Sequence, residues 1–256
     1  MIDPRAVISP QARLGADVSV GPFTVIGPQV QIGARTRIGP HVVIENHTRI
    51  GEDNEIYQFA SLGAAPQDKK YKGEPTELII GDRNVFREFC TMNRGTAQGH
   101  GRTTIGSDCL FMAYTHVAHD CRIGDKVTLA NCATMGGHVD IGDWVQMGGL
   151  SAIHQHCKVG AHAFVAGGAV LTRDLPPYVM IAGNPAEPVA VNSEGLKRRG
   201  FTPEQIRNLR TAYRILYRSD LKLADAVTQL AGLARQHAEV QPLLDFIEAS
   251  TRSLVR

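Results

Sequence analysis

The sequence predicts a parallel β-helix of six-residue repeats followed by a small α-helical domain. Three observations predict it: an apolar residue every sixth position, a glycine that usually follows it, and helical spacing once the repeats stop near Pro176-Pro177. Steps of six from Ile8 give Leu14, Val20, Ile26, Ile32, Ile38, Ile44, Ile50, Ile56 and Leu62. The register resumes at Ile80, Phe86 and Met92, then runs unbroken from Ile105 through Phe111, Val117, Ile123, Leu129, Met135, Ile141, Met147, Ile153, Val159 and Val165 to Leu171. All 25 positions are apolar, and Gly follows 14 of them. Four places on, the residue is small or β-branched, as at Ala12, Val18, Thr24 and Val30.

A period of six matches neither a helix, at about 3.6, nor an amphipathic strand, at about 2. It fits a short strand plus a tight corner, three of which close a triangular coil of 18 residues, three times six. The apolar residue fills the prism, and glycine is expected to relax the backbone near the corner. Successive coils then stack as parallel strands about 4.8 Å apart, each burying its apolar side chains against its neighbours. Two stretches interrupt the pattern. Residues 64–79 hold Leu62 and Ile80 in phase and read as a loop replacing two repeats; the interval from Met92 to Ile105 breaks phase around Gly95–Arg102. Excursions from a rigid scaffold commonly carry function.

The repeats place the β-helix over residues 1–185 and a helical domain over 186–256. In the latter, Thr202-Pro203-Glu204-Gln205 reads as an N-cap with Pro at N1 and Gln at N3. Ile206, Leu209, Tyr213 and Leu216 follow as a core stripe, with two more helices near 222–236 and 240–253. A net charge of +2 argues against bulk nucleic-acid binding, and no run of 18 apolar residues predicts a membrane span. The N-terminus, Met1-Ile2-Asp3-Pro4-Arg5, lacks the apolar run of a signal peptide, so a cytoplasmic protein is expected.

Cys90, Cys109, Cys121 and Cys157 occupy the small-residue slot and Cys132 sits one place before it, so all five read as structural filler. His41, His47, His100, His162 and His237 read as isolated surface residues. The remaining histidines are different. Residues 18 apart stack on adjacent coils, so one column reads Asp120, His138, His156 and the next His119, Gly137, Gln155, with His116 and His154 nearby. Such an edge reads as inert surface residues, as a zinc site, or as general-base catalysis with neighbouring groups that orient a substrate.

The repeats resemble the hexapeptide-repeat family, whose members form left-handed β-helices, usually as trimers. More specifically, Asn54–Ser61, Gln67-Asp68, Lys70-Tyr71 with Gly73–Thr76, His116–Cys121, Gly137–Val139, His154-Gln155, and Asn192 with Glu194–Phe201 resemble the UDP-N-acetylglucosamine O-acyltransferases of lipid A synthesis. The resemblance implies that His119 takes the proton of a sugar 3-hydroxyl as it attacks the thioester of a 3-hydroxyacyl chain on acyl carrier protein. It implies that Asp120 orients His119 and that the Gly137 N–H receives the oxyanion. It extends sugar and nucleotide contacts to Asp68, Lys70, His116, His138, His154, Gln155, Asn192, Glu194, Arg198 and Arg199, and an acyl-chain end stop to Gly167. It implies a homotrimer, with no metal and no cofactor.

Arg207, Arg210, Arg214 and Arg218 run beside the helical core stripe; they read either as a solvated face or as a dock for acidic acyl carrier protein. Two departures from the family stand out: Asn93 where His is frequent, and His156 where an aromatic commonly follows His-Gln. Three rivals are weighed against this reading. A later N-acyltransferase would need an extra N-terminal domain, for which repeats beginning at Ile8 leave no room. A γ-type zinc carbonic anhydrase shares the β-helix, and a non-catalytic scaffold would not concentrate polar groups on one edge.

Overall fold

A computed structural model describes all 256 residues. Its strands are mostly two residues long and lie in three sheets of nine, eight and ten strands, the faces of a left-handed triangular prism. Chain order visits the first, second and third face in turn, and each strand pairs in parallel with the strand one coil away, as in Val25↔Val43 and Ile26↔Ile44. Of the 25 register positions, 23 are buried; Ile8 and Leu14, in the open first coil, are half-buried. The register residues are aliphatic or Met apart from Phe86 stacked on Phe111, with ring centroids 4.8 Å apart.

The repeat glycines work differently from the sequence expectation. Gly15, Gly21 and Gly33 do not have left-handed φ. A Cβ on Gly33 would stand 2.5 Å from the Gly51 carbonyl carbon, and one on Gly21 2.6 Å from Pro40 N, so glycine is required by close approach of the next coil. The left-handed position is instead the third residue after 21 of the 25 register residues, and there it is rarely glycine: Asp17, Phe23, Gln29 and Arg35 have φ of 59–60°. Such conformations cost about 1 kcal/mol or more each. None of the corner residues is Val, Ile or Thr, the side chains least tolerant of that region.

These corner residues stack into columns, and each edge of the prism has its own chemistry. Between the third and first faces, Phe23, His41, Phe59, Phe89 and Tyr114 form a ladder of rings 4.8–5.3 Å apart, followed by Cys132, Leu150 and Gly168. His41 is therefore a rung of a stack and not an isolated surface residue. Between the second and third faces, Asp17, Arg35, Asp53, Arg83, Asp108 and Lys126 alternate in charge, with Arg35–Asp53 and Arg83–Asp108 both paired at 2.8 Å. The edge between the first and second faces carries Asp120, His138 and His156.

Both insertions leave the prism at that same edge. Strands 61–64 and 91–93 lie on the first face, and the strands that follow, 77–80 and 102–105, lie on the second. The first insertion thus adds residues at one corner. It does not replace two repeats, and its phase is a coincidence of length.

The last strand, Glu187–Val191, pairs antiparallel with Val179–Ala182 on the third face. Helices α1 (Ser193–Arg198), α2 (Pro203–Tyr217), α3 (Leu223–Ala234) and α4 (Gln241–Ala249) then pack together. The Thr202/Gln205 capping box forms as the sequence predicts, and Ile206, Leu209, Tyr213 and Leu216 are all buried. The last helix stops at Ala249. Beyond it, Leu254 and Val255 are buried, and Asp174 ties the tail to the prism through bonds to Ser250 and Lys158 N.

Candidate active site

His119 and Asp120 fall in one corner because strand 116–117 ends and strand 122–123 begins within four residues. Asp120 takes the left-handed position, with φ of 60°. That turn brings its carboxylate back under the neighbouring ring, and Asp120 Oδ2 lies 2.9 Å from His119 Nδ1. The Asp120 side chain is fully buried, and His119 is 15% exposed. Burial alone would push the Asp120 carboxyl up; hydrogen bonds from Thr96, His119 and the His100 N–H outweigh it and hold the group below its ordinary value. An ionised carboxylate only accepts, so His119 carries its proton on Nδ1 and presents Nε2 as the basic atom.

Gly137 sits one coil above. A Cβ there would stand 2.5 Å from His119 Cε1 and 2.7 Å from Nε2, so only glycine leaves the ring its place. The Gly137 N–H has no acceptor within the chain, like its counterparts at His119 and Gln155. What distinguishes it is the bare backbone beside the imidazole. His138 packs edge-on to His119 and stacks on His156 at 4.5 Å. Burial is the main cause that pushes the His138 imidazole down, although Asp120, 3.8 Å away, acts the other way. His116, on the first face, meets Thr91 Oγ1 at 2.7 Å, and burial pushes it down as well. His154 and Gln155 are exposed on the next coil of the same edge.

The other expected contacts lie outside that corner. Asp68 and Lys70 belong to the first insertion, where the Asp68 carboxylate accepts from Lys70 N at 2.9 Å. Buried Arg94 anchors that loop, donating to Gly63 O at 2.8 Å and Tyr71 Oη at 2.9 Å, while Asn93 Nδ2 donates to Ala65 O. Asn93 therefore holds the base of the loop. Asn192, Glu194, Arg198 and Arg199 line a cavity of about 580 Å³ with Trp144, Gln146 and Phe164. That cavity opens on the third face, so one chain does not bring these four residues to the His119 edge. Gly167 is exposed on the aromatic edge, across the first face from the histidines.

Two histidines read as isolated from sequence take part in these sites. The His100 N–H donates to Asp120 Oδ1 at 2.8 Å, and its ring lies 6.2 Å from His138. His162 stacks between Trp144 and Tyr178 and accepts on Nδ1 from Arg199 at 3.2 Å. Burial, helped by Arg199, pushes the His162 imidazole down to about 4 from 6.5. Unfolded, the same group binds a proton below about pH 6.5, so stability from it is complete above that value and is lost as pH falls toward 4. His162→Asn, which tolerates left-handed φ, should flatten part of the fall in Tm across that window; identical falls in both proteins would refute this linkage.

His119, Asp120 and His138 also offer three metal-ligating atoms within 4.8 Å of one another. Asp120 takes bonds from Thr96, His100 and His119, and His119 Nδ1 is spent on Asp120, whereas His119 Nε2 and the His138 ring make no hydrogen bond. A metal ligated by Asp120 would compete with the donors that already fill its carboxylate.

Residues 174–255 match the model of the UDP-N-acetylglucosamine O-acyltransferase second domain, and residues 12–46 and 102–137 match the bacterial transferase hexapeptide model. An acyl-[acyl-carrier-protein]–UDP-N-acetylglucosamine O-acyltransferase of Thiobacillus denitrificans is 56% identical over 255 residues, covering 100% of this chain and 99% of its own. One from Stenotrophomonas maltophilia is 55% identical over 256 residues, covering 100% and 97%. The solved UDP-N-acetylglucosamine acyltransferase of Francisella novicida superposes with a TM-score of 0.98 at 39% identity, covering 100% of this chain and 94% of that one. With more than half of its residues identical to such enzymes along its whole length, and with the fold in common, the chain belongs to the UDP-N-acetylglucosamine O-acyltransferase family.

Proposed function

We propose that the protein transfers a 3-hydroxyacyl chain from acyl carrier protein to the 3-hydroxyl of UDP-N-acetylglucosamine, the first step of lipid A synthesis. The observation that carries this is the buried Asp120–His119 pair, oriented by hydrogen bonds on one side and open at Nε2 on the other. His119 Nε2 removes the hydroxyl proton as the oxygen attacks the thioester carbon. The tetrahedral oxyanion turns toward the Gly137 N–H, and the collapsing intermediate expels the carrier thiolate, which takes the proton back from His119. An acyl-transfer assay with UDP-N-acetylglucosamine and acyl carrier proteins of several chain lengths tests it; no transfer at any length would sink the reading. Metal analysis of the same preparation separates it from a zinc carbonic anhydrase.

The protein acts as a homotrimer on this reading, and the placement of the residues supports assembly with other copies. Asn192, Glu194, Arg198 and Arg199 serve the nucleotide at the His119 edge only if another copy supplies them. The surface supports this. Val7, Val25 and Val43 on the first face and Phe23, Phe59, Phe89, Tyr114 and Leu150 on the aromatic edge are exposed, forming one apolar flank. Contiguous exposed apolar flanks mark interfaces. Catalysis belongs to the β-helix of residues 1–185, with Asp68, Lys70, His116, His138, His154 and Gln155 arranged along its edge to hold the sugar. No helix is long and apolar enough to cross a membrane. Five free thiols fit a reducing, cytoplasmic setting.

The helical domain of residues 186–256 docks the carrier. Arg207, Arg210, Arg214 and Arg218 are all exposed, and none pairs with a carboxylate. Reversing Arg207, Arg210 and Arg214 to Glu should raise KM for acyl carrier protein about tenfold or more while leaving that for the nucleotide sugar unchanged, since such charges chiefly steer encounter. The difference from wild type should shrink at high salt. Equal loss for both substrates would instead mean a misfolded tail.

A further inference from the structure

The phase-breaking insertion, residues 94–101, leaves the histidine edge one coil below His119 and folds back tightly. Thr96 O accepts from the N–H groups of Gly99 and Gly101, at 3.1 and 3.0 Å. A Cβ on Gly95 would stand 2.6 Å from Arg102 Cα, and one on Gly99 2.5–2.6 Å from the Asp120 carboxylate atoms. The loop is therefore closed at its base and pressed against Asp120 at Gly99. At its centre, Thr96 is buried, and its N–H meets Asp120 Oδ1 at 3.1 Å and Oδ2 at 3.0 Å. Its hydroxyl accepts from Gly99 N at 3.1 Å and lies 2.7 Å from Asp120 Oδ2. A carboxylate has no proton to give, so the hydroxyl donates, and Gly99 fixes the direction in which it does so. Thr103 Oγ1 completes the hold by accepting from Asp120 N at 2.8 Å.

We propose that Thr96 is a positioning residue for acyl transfer: its hydroxyl and N–H, with the His100 N–H, clamp the Asp120 carboxylate so that Oδ2 stays aimed at His119 Nδ1. This rests on the reading of His119 as the base. It gives the second insertion a task that a simple corner could not perform, because Asp120 faces down the prism toward a coil whose ordinary turn would leave it without donors. The clamp acts on a crowded edge. His138, His116 and, through His138, His156 face the pair, and the His100 ring is held by Arg122 at 3.1 Å.

Thr96→Val keeps shape, β-branching and the N–H but removes the hydroxyl; Thr96→Ser keeps the hydroxyl. In Val, more of the carboxylate charge is left for the imidazolium, so the His119–Asp120 pair should hold its proton to higher pH and the acid limb of the kcat profile should move up. Plateau kcat should fall about tenfold, as is usual when a group that holds a catalytic side chain is removed, while KM for the nucleotide sugar stays within about twofold. Ser should restore both. On an Asp120→Asn background, Val should add less than about twofold, because the two act through one path. Thr96→Ala carries the same expectation should Val distort the loop. The clamp is overturned if Val or Ala keeps wild-type kcat and acid limb, if Ser does not restore them, or if neither Val nor Ala folds while Ser does. His119→Ala in the same assay keeps the two ideas apart: activity there overturns the base itself, whereas a dead His119→Ala beside a normal Thr96→Val overturns the clamp alone.

Discussion

His119→Ala is expected to lower turnover by about 10²–10⁴-fold, the usual contribution of a positioned general base, and to leave the fold intact. The ring lies outside the aliphatic core and makes one hydrogen bond, to Asp120. Removing it does not orphan the buried carboxylate, which keeps Thr96 N, Thr96 Oγ1 and His100 N as donors. Thermal unfolding should therefore stay within a few degrees of wild type. Loss of rate through lost structure would look different, with Tm and oligomeric state changing together. Single-turnover acyl transfer beside a melting curve is the measurement, and more than about a tenth of wild-type rate would remove His119 from the role of base.

The fold was legible because one constraint repeats at every corner: the register residue must be apolar and the residue after it must clear the coil above. The left-handed position was hidden, since Phe23, Arg35, Asp53 and Trp144 share no chemistry. They share only the lack of β-branching, and each column is set by its own stacking partners. The Asp120–His138–His156 column was legible because the register is unbroken from Ile105 onward, so steps of 18 give true neighbours. Thr96 and His100 were not, because the 94–101 insertion destroys the phase that would have placed them beneath Asp120. Family motifs put Arg198 and Arg199 with His119 in one group, whereas face order puts them on a different side of the prism. That separation became visible only once the tail's strand was seen to build onto the third face.

Gly167→Met is expected to move acyl preference toward shorter chains without abolishing transfer of them. Gly167 follows strand Phe164–Val165 on the aromatic edge, where Gly148 and Gly149 lie one coil below and Leu150 is 73% exposed. The edge here has changed from stacked rings to bare backbone beside one aliphatic side chain, the surface an acyl chain needs. Left-handed φ does not explain the glycine: that conformation belongs to Gly168, at +70°, and not to Gly167. A Cβ at 167 would meet Gly149 O at 3.2 Å, which requires a shift of a few tenths of an ångström. Met at 167 meets one tight backbone contact at normal φ, whereas at 168 it would adopt left-handed φ, which makes Gly168→Met the control for a structural effect. We propose Gly167 as the open end of the chain groove completed by a neighbouring copy, so that the enzyme favours a longer 3-hydroxyacyl chain. A Met side chain there takes the room of roughly four methylenes, each worth about 0.8 kcal/mol when buried, so the long-to-short preference should fall by about 10²-fold. Competition between long and short acyl carrier proteins on the folded, active variant measures this directly. An unchanged ratio would show that the chain does not end at Gly167.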